Sequence, residues 1–151
     1  MIPSWLAIST VALLVAIAIN RFFPTEYRWF NRLRRPDWLT FERAIPLIWT
    51  FIFICLVWSA VVVWNTLGGT WQLMAIYLLL EIAIMSYTPV MTQLRSLRVG
   101  VIIGGTGFFI GLFLTVLVFP VSSVAGWLLV PYLLWSPIGT YVTWEMMQLN
   151  P

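Results

Sequence analysis

Histidine and lysine are absent from this chain, and cysteine occurs once. Without histidine, no imidazole can ligate a haem iron or act as the base of a Ser–His or Cys–His pair, and zinc loses its commonest ligand. The single Cys55 lies inside an apolar run, so there is no disulfide framework. Charge of both signs is scarce. Eight arginines and five acidic residues make up 9% of 151 residues, where a soluble domain is about a quarter charged. So few charges cannot cover a water-exposed surface. No Walker-type run is present, which argues against ATP-driven transport by this chain alone, and the GGTG at Gly104–Gly107 lacks phosphate-loop spacing.

What is abundant is apolar and aromatic. Hydrophobic residues make up 62% of the chain, with ten tryptophans, and the mean hydropathy is +0.97. The composition predicts an all-α membrane protein, one domain over residues 1–151, built as a bundle of five transmembrane helices. The expected spans are 4–23, 44–64, 71–94, 99–120 and 124–147. The first is long enough for a hydrocarbon core of about 30 Å. A cleaved signal peptide is its competitor, but the basic n-region and the small-residue cleavage site are missing. Pro46 falls in the first turn of the second span, where a missing N–H is tolerated. No inverted repeat is visible, which weighs against a secondary transporter.

Residues 24–43 form the one long polar connection. Arg21, Arg28, Arg32, Arg34, Arg35 and Arg43 lie in or beside it, and Arg95 and Arg98 lie in the third connection. The second and fourth connections carry no basic residue. The positive-inside rule therefore expects the first and third connections in the cytoplasm, the N-terminus outside and the C-terminus cytoplasmic. This topology accounts for the net charge of +3 without nucleic acid; the expected surroundings are a lipid bilayer. Trp5, Trp29, Trp64, Trp71, Trp127 and Trp144 fall near span ends, as an interfacial aromatic belt requires.

Within the polar connection, Trp29-Phe30-x-x-Leu33-x-Arg35-Pro36-x-Trp38 resembles the opening motif of the TspO/MBR family (translocator protein / tryptophan-rich sensory protein), with Phe for Tyr and Arg for Lys. Ile45-Pro46-x-x-Trp49, Pro131-Tyr132-Leu133-Leu134-Trp135 and the closing Leu149-Asn150 resemble its later motifs. Thr40 and Phe41 stand where the family has paired prolines. Ile84 to Pro89 lacks the family's Asn and Trp, with Tyr87 replacing a further Trp, and Thr143 replaces an Asn. The family's proposed sterol motif is incomplete, since no basic residue follows Arg98. The resemblance implies a pocket beneath the first cytoplasmic connection and a hydrophobic small molecule, a porphyrin or other tetrapyrrole, as ligand. Transport, sensing and light-dependent porphyrin breakdown have all been attributed to such proteins.

On that resemblance the expected ligand-binding residues are Trp29, Phe30, Arg35, Pro36, Trp38, Trp49, Tyr87, Tyr132, Trp135 and Gly139. Flat macrocycles suit stacking on aromatic faces, and an arginine fork suits a propionate. The plainer readings are core filling and interfacial anchoring for the aromatics, and topology for the arginines. Glu81 lies about 15 Å along its span at 1.5 Å per residue, with no arginine in any span to neutralise it. It is either an intramembrane functional group or a carboxyl hydrogen-bonded to a neighbour such as Tyr77. Gly100, Gly104, Gly107 and Gly111 share one helix face, suited to packing within the chain or to a homodimer. The leading functional expectation is a membrane-embedded sensor, scavenger or carrier for a tetrapyrrole-like ligand, without a catalytic residue or metal. The alternatives are a structural or regulatory subunit of a larger membrane complex, and light-dependent porphyrin degradation.

Overall fold

The computed structural model describes residues 2–151. Among them are six α-helices and no strand. Five helices are long: α1 (Ser4–Phe22), α3 (Ile45–Leu67), α4 (Trp71–Gln93), α5 (Leu97–Val118) and α6 (Ser123–Leu149). The short α2 (Tyr27–Asn31) and a 3-10 turn (Glu42–Ala44) sit inside the stretch expected to be a plain loop.

Local chemistry sets the boundaries. Pro46 opens α3, where its lost donor has no intrahelical partner to forfeit. Gly68 closes α3 in the left-handed region at φ 65°, which a residue without a Cβ adopts at little cost. That stop comes three residues later than the sequence expectation, because Asn65 to Leu67 continue the helix. Ser96 and Ser122 cap α5 and α6, each accepting from a backbone N–H three residues on.

Four long helices, α1, α3, α4 and α5, are apolar and long enough to cross a membrane. Helix α6 does not reach the same hydropathy. Its 27 residues include Pro131, Pro137, three tryptophans and two tyrosines, and these aromatics and prolines dilute its aliphatic content. The surface matches an apolar solvent. Leu14, Phe51, Phe109, Phe113 and Leu134 all point outward, the reverse of what water tolerates in such density.

The long helices neighbour one another in a ring, in the order α1, α3, α6, α5, α4 and back to α1. The closest packing runs from α4 through α5 to α6, and α3 meets α4 only thinly. Side-chain size explains the difference. Gly100, Gly104, Gly107 and Gly111 are all buried on α5. A Cβ at Gly111 would meet Tyr132 ring carbons of α6 at 2.6 and 2.9 Å. One at Gly104 would meet Thr140 of α6 and Tyr87 of α4, and one at Gly100 would meet Met91 and Thr143. The whole stripe is therefore occupied by this chain's own α4 and α6. The main core joins Ile52, Leu56 and Val63 of α3 to Leu80 of α4, Leu114 and Val118 of α5, and Leu129 of α6.

Overpacking at the stripe should therefore be costly. Gly111→Val is expected to destabilise by about 1–3 kcal/mol and to lower the thermal midpoint in detergent. Gly105→Ala, with nothing within 4 Å of its Cβ, should leave it unchanged. Equal midpoints for the two variants would refute the packing role.

Candidate functional site

Because α3 and α4 stay apart, the ring is hollow beneath the 24–44 connection. The hollow has a volume of about 630 Å³, within the range of small-molecule sites. All five long helices and the connection contribute walls. Of the ten expected ligand-binding residues, Phe30, Trp49, Tyr87, Tyr132, Trp135 and Gly139 line it.

The walls are mostly satisfied. Thr143 donates to the Gly139 carbonyl at 3.2 Å, so the hydroxyl of Tyr87, which is paired with Thr143, donates to the Thr143 oxygen. Ser136 donates to the Tyr132 hydroxyl at 3.4 Å. Trp49 leans on Tyr132 with ring centroids 6.4 Å apart. Trp135 presents its edge geometry to Phe41 at 6.3 Å. One donor is left over: the indole Nε1 of Trp135 is buried and has no hydrogen-bond partner. A buried indole N–H ordinarily finds an acceptor, so this one is an open donor in the chamber wall.

Four expected residues do not line the cavity, and each has another use. Arg35 was expected to meet a ligand carboxylate. Instead its Nη1 donates to the carbonyls of Phe30 and Leu33, both at 2.7 Å. Its Nε meets Glu42 at 3.1 Å, and its guanidinium lies 4.5 Å from the Phe30 ring centre. The five-donor fork suits folding a loop around itself as well as it suits binding an anion. Pro36 is buried within the connection. Trp29 packs with Phe30 and Leu33 against a second core of Met91, Leu97, Val142 and Met146. Trp38 lies over α6, donating to Glu145 at 2.5 Å and stacking on Tyr141 at 6.0 Å. These residues build the roof of the cavity.

The roof is fastened at both ends. Asn150 accepts from the Arg34 N–H at 2.9 Å and donates back to the Arg34 carbonyl at 3.1 Å, so one side-chain amide holds a backbone segment as a strand partner would. At the other end Thr92 accepts from the Glu26 N–H at 3.0 Å, and Gln93 donates to the Pro24 carbonyl.

Sequence reasoning missed Ser136 and Thr140, which line the cavity beside Trp135 and Gly139. The signal was available: Tyr132, Trp135, Ser136, Gly139, Thr140 and Thr143 follow the three- and four-residue spacing of one helix face. Glu81 is absent from this cavity. The expected bond to Tyr77 is not made either, because Tyr77 pairs with Ser59 at 2.6 Å. Ser59 in turn donates to the Ala125 carbonyl at 2.8 Å, which leaves Tyr77 as the donor to Ser59.

Fold and cavity together define a small all-helical, multi-pass membrane protein with an internal aromatic chamber under a polar roof. The TspO/MBR family model matches residues 7–149, and the chain belongs to that family. It is 30% identical over 153 aligned positions to the Tryptophan-rich protein TspO of Chlorobaculum tepidum, covering 93% of this chain and 92% of that one. It is 26% identical to the Tryptophan-rich protein TspO of Bacillus cereus, over 85% and 84% of the two chains. It is also 24% identical to the uncharacterized membrane protein YtaB of Bacillus subtilis, over 96% and 95%.

The Asn150 clamp yields a direct check. Asn150→Ala removes both bonds to Arg34, a loss of about 1–3 kcal/mol. Amide exchange in the Arg32–Leu39 segment should quicken by roughly tenfold or more, while helix content stays constant. Unchanged exchange would mean that the roof is held by something else.

Proposed function

We propose that this protein is a membrane-embedded binding protein for a hydrophobic, tetrapyrrole-like ligand, serving as sensor, scavenger or carrier. In this reading α6 is the fifth crossing of the bilayer. Its Tyr132, Ser136, Thr140 and Thr143 face the chamber and its Leu134 and Trp127 are exposed on the outer surface, so part of its lower hydropathy reflects function. The connection at 24–44 and the C-terminus are cytoplasmic and the N-terminus is outside, as the eight arginines favour.

The observation that carries the reading is the buried, unpartnered Nε1 of Trp135 in an aromatic hollow of about 630 Å³. Flat, apolar rings bearing acceptor atoms suit such a chamber. Trp49, Tyr87, Tyr132 and Trp135 would hold the ring, and Trp135 would supply the directional bond. Family membership supports the same assignment.

The test is titration of the purified protein with protoporphyrin IX, followed by tryptophan fluorescence. Saturable quenching at micromolar ligand is expected. Trp135→Phe keeps an apolar ring but removes the donor, and should weaken binding about three- to tenfold, the worth of one neutral hydrogen bond. Trp127→Phe, on the exposed outer face of α6 and in neither cavity wall, should bind like the parent. Absence of saturable quenching, or equal affinity of the Trp135 variant and the parent, would overturn the proposal.

A further inference from the structure

A second cavity of about 630 Å³ opens at the other end of the ring, between α1, α3 and α4. Its walls include Ala12 of α1, Trp64 of α3, and Trp71 and Tyr77 of α4, and Phe53 lines both this cavity and the roofed one. Helix α1 forms one side without burying a single residue of its own, so the crevice is reached from the lipid rather than through the roof.

Glu81 lines this cavity and is 8% exposed. Its Oε1 is buried and has no hydrogen-bond partner. Neighbouring groups do not compensate. Tyr77 is already engaged with Ser59. At the far end, Ser4 is bonded to Asn65 at 2.6 Å. All eight arginines lie at or beyond the opposite ends of the helices, in the 21–43 and 95–98 stretches. A buried carboxyl with no partner is strongly disfavoured unless a donor or cation reaches it. Such a group within a membrane span ordinarily meets one. The remainder of the wall is aliphatic and aromatic, so the missing partner must bring its own apolar body.

We propose that this crevice is a second ligand site, distinct from the roofed chamber, for a lipophilic amine. The ammonium group would meet the Glu81 carboxylate, and the hydrocarbon body would lie along α1 and against Trp64 and Trp71. Charge complementarity selects this occupant. A fatty acid would set two acidic groups together, a hydrocarbon would leave the carboxyl unmatched, and an alcohol would bring a donor without the charge that offsets a carboxylate.

The test compares dodecylamine with dodecanol, which has the same chain and a neutral head. Binding is measured to the full-length protein in phosphatidylcholine nanodiscs, with empty discs subtracted. Dodecylamine should bind at least tenfold more tightly than dodecanol, because a charge-assisted hydrogen bond is the stronger kind. Glu81→Gln is isosteric and should abolish that preference while leaving dodecanol binding unchanged. Ala12→Phe, which fills the crevice, should weaken both ligands, with helix content by circular dichroism verifying that each variant folds. If the Gln variant keeps the preference for the amine, or if the parent binds the alcohol as tightly, the site is not an amine site. Saturable protoporphyrin quenching by the Gln variant is expected throughout, so the two cavities are tested independently.

Discussion

The difference in side-chain size around α5 governs the rest of the structure. Hydrocarbon solvates an apolar side chain about as well as another helix does, so helices in a membrane associate where their surfaces fit closely. Gly100, Gly104, Gly107 and Gly111 provide that fit, letting the Tyr132 ring and the Thr140 hydroxyl approach the α5 backbone. Helices α4, α5 and α6 close on this stripe. On the opposite side of the ring, α3 lines the hollow with Trp49, Phe53 and other bulky residues, and meets α4 only thinly. A tight side and a loose side in one ring leave space that side chains do not fill. Both cavities follow from that asymmetry.

The roof then determines what the space beneath it can be. An aromatic hollow left open to water at this end would fill with it. The connection prevents this through bonds made mainly to itself and to the ends of α4 and α6. Arg35 ties the Phe30 and Leu33 carbonyls together and holds Glu42, and Asn150 clips the Arg34 backbone. Polar backbone near the hydrocarbon boundary needs such partners, because lipid offers none.

How much of this was legible in the sequence depended on the kind of signal. Composition revealed a membrane protein, and apolar runs with Pro and Gly punctuation located the long helices to within a few residues. The TspO/MBR motifs led to the family and to Trp49, Tyr132 and Trp135 on the chamber wall. The same motifs also marked Arg35 and Trp38, which lie in the roof and not on the chamber wall. A motif records that a position matters without saying whether it faces a ligand or its own loop, and only the Arg35 distances separate the two. Ser136 and Thr140 were readable from helical spacing but carried no motif. The extent of α3 was misjudged because Asn65 and Thr66 read as turn residues, although Thr66 bonds back to the Val62 carbonyl within the helix.

Among the described residues only two buried side-chain atoms lack a hydrogen-bond partner, Nε1 of Trp135 and Oε1 of Glu81. One belongs to each cavity, and they are of opposite kind: a neutral donor beneath the roof, an acidic acceptor in the crevice under α1. An unmatched polar atom in a membrane interior is tolerated when an occupant completes it, and the sign of the atom dictates the occupant's chemistry. The same loose α3–α4 contact thus creates two spaces, and the two leftover atoms keep them from being interchangeable. In the two proposed assignments, a ring with acceptors suits one and a lipophilic cation the other, with Phe53 as the wall they share.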